Sequence, residues 1–191
     1  KSANFLKKAF IVAIFAMAII LVTQFNNFYQ AFIILSAVIL STTGVLLGHI
    51  ITGKPFGIVM SGLGVIALAG IVVNNNIVLI DTYNKLRREF DWYEALILTG
   101  QKRLRPVLLT AITTIIGLIP MGTKVNVDLI ARELSYNAPS SRWWDQLASS
   151  IMFGLFFATI LTLIVTPCMI ALGEKRQERK HEKRCIQRES T

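Results

Sequence analysis

Three consecutive asparagines, Asn74, Asn75 and Asn76, stand inside an otherwise apolar stretch of the chain. An amide donates and accepts hydrogen bonds but does not carry a proton, so these side chains can position an ionisable group without replacing it. Successive helical residues are about 100° apart, so the three amides cannot all face one neighbouring helix. At least one needs a partner, because an unpaired amide in hydrocarbon is costly. Two interpretations remain open: hydrogen bonding that holds helices together, and a role in an ion pathway.

Other residue patterns exclude most enzymatic chemistry. The sequence has no paired carboxylates, no Ser/His/Asp constellation, no glycine-rich phosphate loop and no metal-ligand spacing. Hydrolytic or redox catalysis is therefore not expected, and neither is a bound metal or cofactor. His49 is predicted to be an interfacial residue rather than a relay member. Cys168 lies in an apolar run and Cys185 in a charged tail, which is not typical of a disulfide framework.

The composition requires most of these residues to lie in a membrane. Of 191 residues, 53% are hydrophobic and 16% are charged, and the mean hydropathy is +0.57, whereas about a quarter of the residues of an ordinary soluble domain are charged. Five stretches lack Lys, Arg, Asp and Glu and have the length of spanning helices. The predicted fold class is an all-α polytopic membrane protein, a bundle of five helices. The predicted spans are Ala9 to Phe25, Ala31 to Ile51, Phe56 to Ile80, Pro106 to Met121 and Leu147 to Leu172.

Small residues recur within these spans at helical spacing. Helices in lipid associate through close packing and interhelical hydrogen bonds, because burying one apolar side chain against another gains little there. Predicted packing residues are Gly44 and Gly48 in span two, Gly70 in span three, and Gly154 and Ala158 in span five. Span five repeats a small residue every four positions, and span four places Thr110, Thr113, Thr114 and Gly117 on one face. These patterns predict close packing within the bundle or against helices outside this chain.

The distribution of basic residues predicts the orientation. The segment 81–105 and the tail 173–191 lie on the same side of five spans and carry 13 of the 20 basic residues. The positive-inside rule places both in the cytoplasm, with the N-terminus outside. The net charge of +9 is then expected to lie beside anionic headgroups, which argues against nucleic-acid binding.

The connecting segments are predicted as follows. Residues 91–102 form a short interfacial helix that ends near Gly100, within the cytoplasmic segment 81–105. Residues 122–146 form a polar periplasmic loop, which closes with Trp143 and Trp144 at the headgroup level. Residues 173–191 form a basic, solvated cytoplasmic tail. Pro167 is expected to kink span five. The Thr166 hydroxyl is available to donate a hydrogen bond to the backbone carbonyl that loses its partner because proline has no N–H.

Three segments carry a resemblance to a known family: GIVVNNNIVLID at 70–81, RLRPVLLTAITTIIGLIP at 103–120 and FATILTLIVTP at 157–167. In this order the chain resembles the last five transmembrane helices of an inner-membrane permease of the resistance-nodulation-cell division (RND) family. The resemblance covers nearly the whole chain, and it implies a piece of a longer protein, helices eight to twelve of twelve. It also implies a bacterial inner-membrane exporter driven by the proton gradient, which works as a homotrimer with a periplasmic adaptor and an outer-membrane channel.

The resemblance further implies a set of functional positions. In multidrug exporters of the family, two aspartates on the fourth helix take the proton, and a lysine, an arginine and a threonine on helices ten and eleven support them. These three positions fall on Asn74, Arg103 and Thr110. The lysine is absent here, so amides are expected to hydrogen-bond the carboxylates instead. Possible additional polar contacts come from Asn75, Asp81, Thr113 and Thr114.

The resemblance therefore favours the membrane half of a drug/proton antiporter. One alternative is a protein-export motor subunit of the same superfamily, which shares the helical core. Another is a truncated membrane protein that transports nothing and only assembles with other helices.

Overall fold

Five helices and a short hairpin make up the described chain. The computed structural model describes the backbone of residues 2–123, 125–128, 133–136 and 139–189, and the side chains of residues 3–123, 143–176 and 179. The helices are α1 (Ser2–Phe25), α2 (Phe28–Thr52), α3 (Ile58–Leu86), α4 (Trp92–Gly122) and α5 (Pro139–Glu189). Strands β1 (Val125–Asp128) and β2 (Glu133–Tyr136) pair antiparallel between α4 and α5.

The first two helix boundaries follow from local sequence. Asn26 has a φ of 47° and breaks α1, a left-handed conformation that asparagine tolerates better than most residues. Asn27 then caps α2, because its side-chain oxygen accepts a 2.9 Å hydrogen bond from the backbone N–H of Tyr29. Gly53, with a φ of 62°, closes α2. The tight turns force α1, α2 and α3 to run alternately up and down.

The predicted all-α bundle of five apolar helices is confirmed. Within the described residues, five helices are long and apolar enough to cross a membrane. Their burial differs: 50% of the most apolar window of α2 is buried, against 6% for α1. Helix α1 therefore lies at the edge of the bundle, where lipid or another helix must cover it. The hairpin between α4 and α5 was not predicted, and it lies within the segment expected to be a periplasmic loop.

Helix α5 is the central element and packs antiparallel against α2. A side chain at Gly44 would collide with Phe157, and one at Gly48 would collide with Phe153. Four residues forward on α2 thus correspond to four residues backward on α5. The predicted GxxxG of span two is therefore a packing surface, on which two phenylalanine rings rest against bare backbone.

Helix α3 packs parallel to α5 along most of its length. A side chain at Gly154 would collide with Leu68, and further along Tyr83 donates a 2.9 Å hydrogen bond to Glu174. Ala158 is buried between these levels. Gly154 and Ala158, both predicted packing residues, therefore lie on the buried side of α5 in the core of the bundle.

Helix α4 differs from its prediction. The segment 91–102 does not end near Gly100 as a separate interfacial helix, because α4 continues without a break from Trp92 through Gly100 and Pro106 to Gly122. A single glycine costs a helix only about 1 kcal/mol relative to alanine. Pro106 removes one backbone N–H, and the helix tolerates that loss.

Helix α5 also extends further than predicted. It runs through Pro167 and continues to Glu189, so the backbone of the predicted tail is helical over most of its length. The Thr166 hydroxyl was predicted to donate a hydrogen bond to the backbone carbonyl that Pro167 leaves without a partner. That prediction is wrong, because this hydroxyl donates its hydrogen bond to Asn76 on α3 instead.

Candidate functional site

The three asparagines divide between the inside and the outside of the bundle. Asn76 is fully buried, and its Nδ2 donates to the Val72 carbonyl at 2.9 Å and to Thr162 Oγ1 at 3.3 Å. Thr166 Oγ1 donates to its Oδ1 at 2.8 Å. Both ends of this amide are therefore used in the contact between α3 and α5. Asn76 holds two helices together, the first of the two interpretations open from the sequence.

Asn74 lies on the opposite side of α3 and is exposed. Among the described residues it has no hydrogen-bond partner. Gly70, one turn earlier, is also exposed, and a side chain added there would meet nothing within 4 Å. The prediction that Gly70 packs against another helix is thus not met within the described chain. Asn75 is half-buried between the two faces.

Helix α4 presents a second set of uncovered polar residues. Thr110 and Thr113 are exposed, Thr114 is half-buried, and each hydroxyl donates to a carbonyl of its own helix. The hydroxyl of Thr110 donates to the Val107 carbonyl at 3.0 Å. In this rotamer it can only accept a further hydrogen bond, and it must rotate to donate to a carboxylate. Gly117 is exposed with open space around it.

Arg103 fixes the register between α3 and α4. Its Nε donates a 2.6 Å hydrogen bond to Thr82 Oγ1. The two helices are antiparallel neighbours, so moving forward from Arg103 on α4 corresponds to moving backward from Thr82 on α3. Thr110 lies seven residues along α4 and Asn74 lies eight residues back along α3. At about 1.5 Å per residue, both lie roughly 10–12 Å from this contact and at the same level.

Asn74 and Thr110, two of the three positions that the resemblance implies, are therefore exposed at the same level of neighbouring helices. We call Gly70, Asn74, Thr110, Thr113 and Gly117 the open face. Its members are small or polar, whereas most exposed residues elsewhere on the five helices are large and apolar. Arg103 lies toward one end of this face and is half-buried. Chemically, the open face offers one free amide and two hydroxyls to a helix that packs on it.

Asp81 is not part of this arrangement. It forms an exposed ion pair with Lys85 across 2.7 Å on the same helix. Among the described residues no group of three or more His, Cys, Asp or Glu side chains could hold a metal ion.

Two polar clusters were missed by sequence reasoning. His49 was expected at the interface, but it is 5% exposed, and its Nε2 lies 2.9 Å from Ser150 Oγ on α5. Lys54 donates to Asp145 at 2.5 Å, to Ser149 at 2.9 Å and to the Gly122 carbonyl at 2.9 Å. Lys54 thereby ties the α2–α3 turn to the end of α4 and the start of α5. Nothing in the spacing of these residues along the chain indicates that they meet.

Comparison with known proteins places this arrangement in a family. A model of the AcrB/AcrD/AcrF family matches residues 1–174. The swarming motility protein SwrC of Bacillus subtilis is 32% identical over 173 residues, 90% of this chain and 15% of SwrC. The cobalt-zinc-cadmium resistance protein CzcA of Cupriavidus metallidurans is 28% identical over 168 residues, 87% of this chain and 15% of CzcA.

The fold is also similar to a solved structure. The crystal structure of a heavy metal efflux pump superposes with a TM-score of 0.69 and 31% identity, covering 85% of this chain and 15% of that pump. The chain therefore spans about 15% of the length of the relatives it matches.

Proposed function

The chain belongs to the AcrB/AcrD/AcrF family of RND permeases, and we propose that it forms helices eight to twelve of a proton-driven exporter of metal cations. The RND resemblance read from the sequence is thus confirmed, whereas the proton coupling and the cargo are proposals. The relatives give no support to the alternative of a protein-export motor.

The observation that carries the proposal is the open face. An amide without a hydrogen-bond partner is costly in hydrocarbon, so another helix must cover Asn74. Gly70 and Gly117 leave room for that helix to come close, because a side chain added at either position would meet nothing within 4 Å. We propose that the covering helix is the fourth helix of the permease, which carries the proton-binding carboxylates.

The amide at position 74 determines how this interface responds when the carboxylate gains or loses a proton. A lysine would neutralise a carboxylate by charge, whereas Asn74 can donate a hydrogen bond to its ionised form and accept one from its protonated form. The Thr110 hydroxyl has the same dual capacity once it rotates away from the Val107 carbonyl. Protonation of the carboxylate would therefore change which groups donate across this interface. A proton can shift a conformational equilibrium only through such a difference.

The relatives favour metal cations over drugs as the cargo. CzcA is named for cobalt, zinc and cadmium resistance, and the solved structure is that of a heavy metal efflux pump. The multidrug interpretation, which came from the resemblance alone, finds no support in these names. The cargo of this permease is accordingly proposed to be a divalent metal cation.

The proposed function also implies a membrane location and an assembly. The chain is a multi-pass membrane protein, and the bacterial inner membrane, with the C-terminus of the chain in the cytoplasm, is the proposed setting. A homotrimer that joins a periplasmic adaptor and an outer-membrane channel is the proposed assembly, as in the family at large.

The function can be tested in a bacterial host that lacks its own metal exporters. The gene that encodes this chain, with its native flanking sequence, should raise tolerance to cobalt, zinc or cadmium, and collapse of the proton gradient should abolish metal efflux. A lipophilic dye serves as the drug-type comparison. Dye efflux without any metal tolerance would overturn the metal assignment, and metal efflux that persists without a proton gradient would overturn the coupling.

A further inference from the structure

His49 and Ser61 each bury a polar atom that no described residue satisfies. His49 on α2 is 5% exposed and Ser61 on α3 is fully buried. Neither Nδ1 of His49 nor Oγ of Ser61 has a hydrogen-bond partner among the described residues. A buried donor or acceptor without a partner is destabilising, so a pair of such atoms calls for a ligand.

The hydrogen bonds of Ser150 decide the tautomer of His49. The Ser150 hydroxyl has a single hydrogen, and it donates this hydrogen to the Gln146 carbonyl at 2.7 Å. Toward His49 Nε2, at 2.9 Å, Ser150 Oγ can therefore only accept. Nε2 must therefore carry a proton, and in the singly protonated ring Nδ1 is left as a bare acceptor. The hydroxyl of Ser61 is by contrast a donor without an acceptor.

The two unsatisfied atoms belong to one region of the bundle. Ser150 contacts the His49 ring, and a side chain added at Gly64 would meet the Ser150 Cβ at 2.8 Å. Ser61 lies three residues before Gly64, on the same face of α3. His49 and Ser61 therefore flank the same turn of α5, one from α2 and the other from α3.

A cavity of about 600 Å³ reaches this region from the end of the bundle. Its lining includes Phe56, Gly57 and Gln146. The Phe56 ring packs edge-on against the His49 ring with centroids 5.5 Å apart, and the Gly57 carbonyl accepts a hydrogen bond from the backbone of Ser61. Phe56 thus lines the cavity and also contacts the His49 ring.

We propose that one water molecule binds between His49 and Ser61, donating a hydrogen bond to Nδ1 and accepting one from the Ser61 hydroxyl. A water molecule fits because it supplies the missing donor and the missing acceptor at once, and internal waters generally make two to four such bonds. The charges close to this region, Lys54 and Asp145, are paired with each other. The inference does not depend on the proposed transport function.

Solid-state NMR on the full 191-residue chain in lipid bilayers tests this site. The sequence has two histidines, so a His181→Gln variant labelled with ¹⁵N-histidine reports His49 alone. The expected spectrum at neutral pH shows Nε2 protonated, Nδ1 unprotonated, and a cross-peak from a slowly exchanging water to Nδ1. Ser61→Ala should abolish that cross-peak, whereas Ser41→Ala should preserve it. Ser41 is an equally buried serine whose hydroxyl already donates to the Val38 carbonyl.

Two results in the His181→Gln chain itself would overturn the inference, even if Ser61→Ala did not fold. One is a protonated Nδ1, because that nitrogen could then not accept a hydrogen bond from water. The other is a direct cross-peak between the Ser61 hydroxyl and Nδ1 with no water signal, because the two side chains would then satisfy each other. Phe56→Ala provides a further check, since it should speed exchange of the bound water with bulk water.

Discussion

Thr166 on α5 donates a 2.8 Å hydrogen bond to the side-chain oxygen of Asn76 on α3. The nitrogen of the same amide donates to Thr162, one turn earlier on α5. The two threonines therefore hold one asparagine from both ends, and α3 cannot rotate about its axis without breaking these bonds. Because Asn76 is fixed inward, Asn74 is held outward on the open face.

The first prediction concerns stability. Asn76→Ala should lower the free energy of unfolding of the chain by about 1–2 kcal/mol, since it removes both interhelical bonds and leaves the threonines without a partner. Unfolding in mixed micelles, followed by circular dichroism, measures the change. Asn74→Ala is the matched control and should leave the stability unchanged, because Asn74 is exposed. An equal loss for both variants would contradict the division of the asparagines.

The second prediction concerns transport. In the full permease, Asn74→Ala and Thr110→Ala should impair efflux and shift its pH dependence, while expression and trimer assembly persist. A lost hydrogen bond to a charged group is worth about 1.5–3 kcal/mol, enough to change the pH at which a carboxylate on the covering helix takes its proton. Efflux measured across a range of external pH tests this. Variants that assemble and pump like wild type at every pH would refute the relay role.

The third prediction concerns the glycines of α2. Gly48→Ala should lower the free energy of unfolding by about 1–3 kcal/mol, because the added methyl collides with the Phe153 ring. Gly100→Ala is the control in α4. It has open space and should raise the stability by about 0.5–1 kcal/mol. The same unfolding assay reports both, and a Gly48→Ala variant as stable as wild type would show that the helices do not pack this closely.

The fourth prediction compares two lysine–aspartate pairs. Lys54→Met should lower the free energy of unfolding by about 2–3 kcal/mol, because it removes the ammonium group that pairs with Asp145, whose side chain is 6% exposed. Lys85→Met should lower the free energy of unfolding by less than about 1 kcal/mol, because Lys85 and Asp81 are both solvent-accessible. Denaturation of the two variants under identical conditions gives the comparison. Equal losses would mean that Lys54 does not act as a buried partner.

The fifth prediction concerns orientation. Thr123→Cys, at the end of α4, should react with an impermeant thiol reagent from the outside of sealed vesicles, and Arg88→Cys, between α3 and α4, only from the inside. Both positions are exposed, and the native cysteines are replaced in this background. The physical reason is the excess of basic residues on the Arg88 side. Equal labelling of both positions from the outside would contradict the orientation.

The sequence alone determined the number of helices, their apolar character and the family. These properties follow from the length of uncharged runs and from local motifs, and both can be read along one chain. The close-packing roles of Gly44, Gly48, Gly154 and Ala158 also follow from sequence, because a four-residue repeat places small residues on one helix face whatever the neighbour is.

Only the tertiary structure decided which polar residue faces which way. Three adjacent asparagines look equivalent in sequence, and the rotation of α3 against α5 is what buries Asn76 and exposes Asn74. The partnership of Lys54 with Asp145 and the burial of His49 against Ser150 likewise join residues about ninety to a hundred positions apart. Periodicity describes one helix at a time, whereas such contacts depend on the packing register between two helices, and that register is fixed by the fit of all the side chains in the interface.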